Sequence, residues 1–409
     1  MTDVVIVGAR CAGSPLAMLL ARRGYKVMVL DASRFPSDTL STHQIWPLGV
    51  AALHRWGLWR EIAAADPGIC HSGLNRMPGG TLKGPWHAVQ GIDYTINLRR
   101  VKLDWILIQA ARAAGAEVRE GIVIDGLLYE GGQYVGVSGH DRKTNTRFSE
   151  RARMVIGADG HRSTIARLTG AQTFDETPTL TVTYYMYVSD LPGDRDMDEI
   201  YTCPPREYLF SPTDGGLTVV NLVMSKEMAA EFRRDVNKNF QQAFDLEPEL
   251  GERLRAARTV GHIRGVLDQP NFYRRSYGEG WALVGDAAYC KDPIRAQGIT
   301  DAFLDAEKLA ESLDDAFSGR TPITAALADC EAERKERTAF PYRLCLNAAR
   351  FELATPKNTR RLLGLIENRP DIIAEMRGLI CGSVRPEEFF DTQHLALMGI
   401  EAVGAGAWA

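Results

Sequence analysis

Asp3-Val-Val-Ile-Val-Gly8-Ala-Arg-Cys-Ala-Gly13 opens the chain, and Asp31 closes the unit that this stretch begins. The apolar, β-branched run before Gly8 has the composition of a strand buried on both faces. An apolar helical stretch follows over 14–23, closed by Gly24, and a second strand over 26–30 ends on Asp31. The order is strand, glycine turn, helix, strand, acid. Gly8 permits the tight turn, and Gly13 lets the helix pack close to the strand. Ala12 and Gly13 start a helix whose unpaired N–H groups can face a pyrophosphate. Asp31 stands where a carboxylate accepts hydrogen bonds from a ribose hydroxyl. Arg10 occupies the second glycine position of G-x-G-x-x-G. It reads as a cation near the pyrophosphate, with a sharp turn that binds no nucleotide as the plainer alternative.

The chain has 409 residues, 45% hydrophobic and 24% charged, ordinary values for a globular protein with a sizeable core. A net charge of −4 without a basic cluster argues against nucleic acid as a partner. The seven cysteines form no C-x-x-C pair and no metal-ligand spacing, so they read as reduced cytoplasmic thiols. With a strand of the fold beginning at residue 3 or 4, no signal peptide is expected. No apolar run approaches the ~18 residues that a membrane span needs, so no integral membrane association is expected.

A polar loop over 32–43 carries Arg34 and His43. Residues 48–65 have helical spacing broken near Gly57. Residues 70–98 read as extended. A helix over 100–114 presents Leu103, Ile106, Leu107 and Ala110 on one face, with Arg100 at its start, where a cation opposes the helix dipole. Short strands follow at 117–119, 123–129 and 134–138, the last two joined at Gly131-Gly132, with Ile124 in the middle strand. Residues 153–160 form another buried strand that ends in a glycine turn at Asp159-Gly160. From 180 to 224 the chain reads as antiparallel strands, then helices to 254 and a strand over 259–267. Trp281-Ala-Leu-Val-Gly285 returns to buried-strand character before Asp286. The rest is mainly helical, from 297–317 onward to about 379, with a small-residue tail ending at Ala409.

Three strand ends now carry special residues. They are Gly8–Gly13 with Asp31, Val155-Ile-Gly-Ala-Asp159-Gly160-His-Arg-Ser163, and Val284-Gly285-Asp286 continuing through Pro293 to Gly298-Ile-Thr300. Together with Arg100-Val-Lys-Leu103 they resemble the fingerprints of FAD-dependent hydroxylases of the para-hydroxybenzoate hydroxylase type, over nearly the first three quarters of the chain. Tyr289, Ala296 and Thr300 depart from that family's usual residues. Tyr208-Leu-Phe-Ser-Pro212 also resembles a motif of the geranylgeranyl reductase branch. The halogenase motif W-x-W-x-I-P is missing, which disfavours halogenation.

The resemblance implies an α/β fold: a Rossmann-type FAD-binding domain with an inserted antiparallel substrate sheet and a C-terminal helical region. The boundaries it gives are 1–175 with 259–320 for FAD, 70–98 with 176–258 for substrate, and 321–409 for the helices. It implies FAD contacts from Gly8, Arg10, Ala12, Gly13, Asp31, Arg34, Arg100, Ile124, Asp159, Asp286, Gly298, Ile299 and Thr300. Asp286 would bind the ribityl chain, so Asp286→Ala is expected to weaken flavin binding and to leave a destabilised apoprotein. The implied activity is monooxygenation of a hydrophobic or aromatic small molecule, with NADH or NADPH as reductant and a flavin C4a-hydroperoxide as oxidant. Alternatives are a flavin-dependent reductase or dehydrogenase of an isoprenoid-like metabolite, and a non-catalytic flavin-binding redox module.

His43, Tyr184 and Arg295 are the side chains assigned to substrate. His43 lies in a loop that the resemblance brings near the flavin, either as an acid or base or as a hydrogen-bonded loop residue. Tyr184 and Tyr185 point to opposite sides of a strand. Arg295 can meet an anionic substrate or NADPH, or remain solvated. The substrate is expected between the sheet of 180–224 and the flavin, covered by Tyr184, Met186, Tyr208 and Phe210.

Overall fold

A computed structural model describes residues 2–352 and 354–391. The tail beyond 391, part of the expected helical region, lies outside the described residues. The first sheet is built on β1 (Thr2–Val7), which pairs in parallel with β2 (Val27–Asp31) and with the Arg147–Gly157 strand. Trp281–Leu283 extends it in parallel beyond Arg147–Gly157, and Glu117–Glu120 beyond β2. Both faces are covered, as the unbroken apolar run requires. Val4 and Ile6 pack toward helix α1 (Gly13–Arg22) and the Arg100–Ala113 and Gly298–Phe317 helices, while Val5 packs on the other side with Ile165 and Leu283. Ile122–Glu130 and Gln133–Asp141 form an antiparallel hairpin beside Arg147–Gly157, turning at Gly131-Gly132, where φ is 59° and 88°.

A second sheet of seven strands runs in the order Arg258–Val266, Thr181–Ser189, Thr218–Ser225, Arg206–Pro212, Met197–Cys203, Ser72–Met77, Gly80–Pro85. Two differences from the sequence reading stand out. Arg258–Val266 pairs with Thr181–Ser189, so the chain rejoins the first sheet only at Tyr277–Gly278, later than the expected boundary at 259. The buried face of Arg100–Ala113 carries Leu103, Asp104, Leu107, Ile108 and Ala111, one step round from the expected Leu103, Ile106, Leu107 and Ala110.

One face of the second sheet is sealed by the short helices Ala229–Phe232, Val236–Asp245 and Pro248–Ala256. Tyr184, Met186, Tyr208 and Phe210 pack there with Phe232, Phe240 and Phe244. The other face meets the Pro293–Arg295 turn and the end of the Ile323–Ala349 helix, through Leu209 and Val223 against Ile294, Cys345 and Ala348. That long helix is pinned to Gly298–Phe317 by Arg334 and Asp305, 2.8 Å apart and both buried. No helix among the described residues is long and apolar enough to cross a membrane.

Candidate functional site

The turn after β1 leaves no room for side chains. A β-carbon on Gly8 (φ 106°) would lie 2.3 Å from the Ala158 carbonyl oxygen, and one on Gly13 would lie 1.9 Å from that of Gly8. Asp31 clamps the turn: its carboxylate accepts the Ala9 N–H at 2.7 Å and the Ser33 N–H at 2.7 Å. No side chain caps α1, so its first N–H groups keep their partial positive charge.

Those groups face a cavity of about 800 Å³, toward the upper end of the size range of small-molecule sites. Its wall runs from Gly8, Ala12 and Asp31 past Asp159 and Asp286 to Gly298 and Ile299, and Thr183 and Tyr185 of the second sheet also line it. Arg10 and Arg100 line it as well, and both bind the buried Asp104, at 2.5 Å and 2.8 Å. Two guanidiniums on one carboxylate leave a net positive charge beside the α1 N-terminus. This pairing also resolves the conflict of Arg100 with its own helix dipole, because Asp104 lies one turn along the same helix.

The acids differ in what holds them. Asp159 accepts from the Ser163 hydroxyl at 2.5 Å and the Thr164 N–H at 2.7 Å, so it holds the start of the Thr164–Thr169 helix together with its N-cap, Ser163. Asp286 sits in the Gly285–Ala287 turn, and its side chain makes no hydrogen bond to the described residues. Burial pushes its carboxyl from 3.8 up to about 6, against the favourable Arg100 charge. Opposite it, Gly298 presents open space, and a β-carbon there would meet only the Asp286 carboxylate at 4.0 Å. A carboxylate aimed into a cavity without a donor is a site for ligand hydroxyls.

The loop over 292–297 is fixed from several sides. Asp292 accepts from the Thr181 hydroxyl at 2.8 Å and the Ile294 N–H at 3.1 Å. The Gln297 amide donates to the Ile380 carbonyl at 2.7 Å. Ala296 adopts φ 50°, a conformation that favours glycine.

The family model for an FAD binding domain matches residues 1–339. The chain belongs to this family of FAD-binding flavoproteins. Menaquinone reductase of Mycolicibacterium smegmatis is 27% identical over 328 residues, 76% of each chain. Kynurenine 3-monooxygenase of Salinispora arenicola is 26% identical over 363 residues, 82% of this chain and 76% of that one. A myxobacterial chondrochloren halogenase shares the fold, with a TM-score of 0.78 at 22% identity over 93% of this chain and 96% of that one. The flavoprotein is thus an FAD-dependent oxidoreductase of monooxygenase-like type, with FAD as its cofactor.

Most of the expected FAD contacts converge on the flavoprotein's cavity. Gly8, Arg10, Ala12, Asp31, Arg100, Ile124, Asp159, Asp286, Gly298 and Ile299 all line it. Gly13 supports the turn from behind. Arg34 does not join them: it is exposed and lies over Gly121. Thr300 turns inward, where its hydroxyl accepts the Trp46 N–H at 3.0 Å.

The substrate assignments need more correction. Tyr184 packs at a tilt against Phe232 (4.5 Å between centroids) beneath the sealing helices, and its neighbour Tyr185 lines the cavity instead. Arg295 is absent from the cavity wall. Its charge acts on the buried Glu207, on the side of the sheet that the Ile323–Ala349 helix covers. His43 is buried one layer behind Tyr185, with ring centroids 5.7 Å apart, and shares a 2.7 Å hydrogen bond with the Tyr187 hydroxyl. Burial and the Arg100 charge bring His43 down to about 3, so it stays neutral near neutral pH. Burial likewise pushes the Cys290 thiol up, which leaves it a packing residue.

The sequence reading missed Asp104 and Thr183, and it took Tyr184 rather than Tyr185 of the adjacent pair. The signals were present. Asp104 is four residues from Arg100. Along Thr181–Ser189, Val182, Tyr184, Met186 and Val188 alternate with the more polar Thr181, Thr183, Tyr185 and Tyr187, and Thr183 and Tyr185 of the polar stripe line the cavity.

Proposed function

We propose that this flavoprotein is a monooxygenase that uses NADH or NADPH and dioxygen to place one oxygen atom on a hydrophobic or aromatic small molecule. The second oxygen atom leaves as water, and the nicotinamide is oxidised. FAD, when bound, supplies the redox chemistry, and the protein supplies position and a dry site. The observation that carries this reading is the shared cavity, in which the α1 N-terminus, Asp286 and Gly298 sit on one wall and Thr183 and Tyr185 on another.

In this reading the α1 N–H groups and the Arg10–Arg100–Asp104 cluster hold the pyrophosphate, and Asp31 takes the ribose. Asp286 accepts hydrogen bonds from the ribityl hydroxyls. The N–H groups at Gly298 and Ile299 face the flavin ring, where they oppose negative charge. His43 acts as a positioning residue: neutral and bound to Tyr187, it supports the ring of Tyr185 from behind. All seven cysteines are free, which fits a reducing cytoplasmic location.

A second reading is reduction of a quinone or isoprenoid. It draws on the menaquinone reductase relative, which is as similar to this chain as the monooxygenase. Turnover under isotopically labelled dioxygen separates the two. The expected result is a product carrying one labelled oxygen atom. A product that has gained two hydrogens and no label would give the second reading.

A further inference from the structure

The wall of the cavity carries seven carboxylate side chains (Asp31, Asp159, Asp268, Asp286, Asp292, Asp301, Asp305) against four permanent cations (Arg10, Arg100, Arg162, Lys291). Every one of those cations is already engaged. Arg10 and Arg100 bind Asp104, Lys291 binds Asp301 at 2.8 Å, and Arg162 binds Asp268 at 2.9 Å. Arg264, the cation beside Tyr185, is paired with Asp38. With the net charge of the Arg10–Arg100–Asp104 cluster given to the pyrophosphate, a carboxylate beside the second sheet would find no uncommitted counter-charge among the described residues and would lose its hydration, a large penalty for an unpaired ion. The acid nearest the second sheet is committed too: both oxygens of Asp292 accept from Thr181. A cation gains no free partner there either.

What the second sheet does offer is neutral hydrogen bonding. Thr183 and Tyr185 are 2% and 1% exposed, both line the cavity, and neither the Thr183 Oγ1 nor the Tyr185 hydroxyl has a hydrogen-bond partner among the described residues. Tyr185 lies near the Arg264 side chain and the Ser41 backbone without hydrogen-bonding geometry to either. The two residues are two apart on one strand, so their side chains stand on the same face. Two unpaired buried hydroxyls are costly unless something completes them.

We propose that the substrate is an uncharged aromatic molecule bearing a hydroxyl or carbonyl group, and that the Thr183 and Tyr185 hydroxyls hold that group. This rests on the reading that substrate lies against the second sheet. The test is a titration of the FAD-loaded protein, followed by perturbation of the visible flavin spectrum. The probes are matched in shape and differ in charge at pH about 6, where the phenols stay protonated and the carboxylate and amine stay charged: para-hydroxybenzaldehyde, para-hydroxybenzoate and para-hydroxybenzylamine. The neutral aldehyde is expected to bind at least about tenfold tighter than either ion, the equivalent of about 1.4 kcal/mol. A carboxylate or amine that binds as tightly as the aldehyde overturns the proposal. Thr183→Val and Tyr185→Phe preserve shape, and each should weaken aldehyde binding about two- to tenfold at unchanged FAD content. Unchanged affinity in both variants removes the hydroxyls from the site. The titration involves no turnover, so its outcome is independent of whether labelled oxygen reaches a product.

Discussion

Asp286 gives the sharpest test, because one substitution should move two properties in opposite directions. Its carboxyl is raised from 3.8 to about 6 by burial. A raised carboxyl means that the folded apoprotein holds its proton longer than the unfolded chain. Apoprotein stability therefore falls as pH climbs from 3.8 to about 6 and then levels off. At neutral pH the cost is at most about 3 kcal/mol, and cavity water reduces it to about half. Asp286→Asn removes that cost, so the apo variant should be more stable than wild type at neutral pH by about 1–3 kcal/mol, with the gap closing below pH about 4. The sequence-based expectation of a destabilised apoprotein concerns Asp286→Ala, which also removes side-chain volume; Asp286→Asn keeps the shape and removes only the charge. Flavin binding should move the other way. Loss of a charge-assisted hydrogen bond is worth about 1.5–3 kcal/mol, or roughly ten- to hundredfold in FAD affinity. Quenching of FAD fluorescence on titration reads the second effect, and thermal unfolding of the apoprotein at several pH values reads the first. A variant that binds FAD with wild-type affinity, or an apo variant less stable than wild type at neutral pH, refutes the reasoning.

Gly13→Ala places a β-carbon against the Gly8 carbonyl, so it should cost about 1–3 kcal/mol of stability and abolish co-purified FAD, as measured by unfolding and by the absorbance ratio. Asp104→Asn strands Arg10 and Arg100 and should destabilise the protein by about 3–5 kcal/mol in denaturant titration. Tyr184→Ala opens a hole beneath the sealing helices and should cost about 3–5 kcal/mol, yet leave FAD content and ligand titrations as in wild type. Loss of ligand affinity at unchanged stability would put Tyr184 back in the site.

The parts of the fold legible in the sequence are those set by neighbours along the chain. The β1–α1–β2 unit, the hairpin at Gly131-Gly132 and the buried strands before Asp159 and Asp286 each carry their own turn residues and periodicity. The cofactor side of the cavity was legible for the same reason, since backbone N–H groups and glycines are imposed by local geometry. The residues that the second sheet contributes to the cavity were harder. Tyr184 and Tyr185 are alike in composition, and the choice between them is made by the distant helices 229–256, which cover one face of the sheet. The dipole conflict at Arg100 was visible, but its resolution needed Asp104 to be seen as a shared partner of Arg10 from another element. Arg258–Val266 reads as a strand wherever it goes, and only its pairing with Thr181–Ser189 assigns it to the second sheet.

The parallel pairing at the centre of the first sheet has a consequence for synthesis. Val5 lies opposite Val155, and Val155 lies opposite Trp281, so the sheet is stitched from three widely separated parts of the chain. A ribosome adding roughly 5–20 residues per second makes Leu283 about 15–55 s after Val7. During that interval β1 has its β2 neighbour at hand but lacks the strands and helices that complete its surroundings. Its apolar side chains and open edge remain available to other nascent chains or to chaperones. The earliest segment to be made is thus among the last to be fully enclosed, and yield on overexpression should respond to the rate of translation.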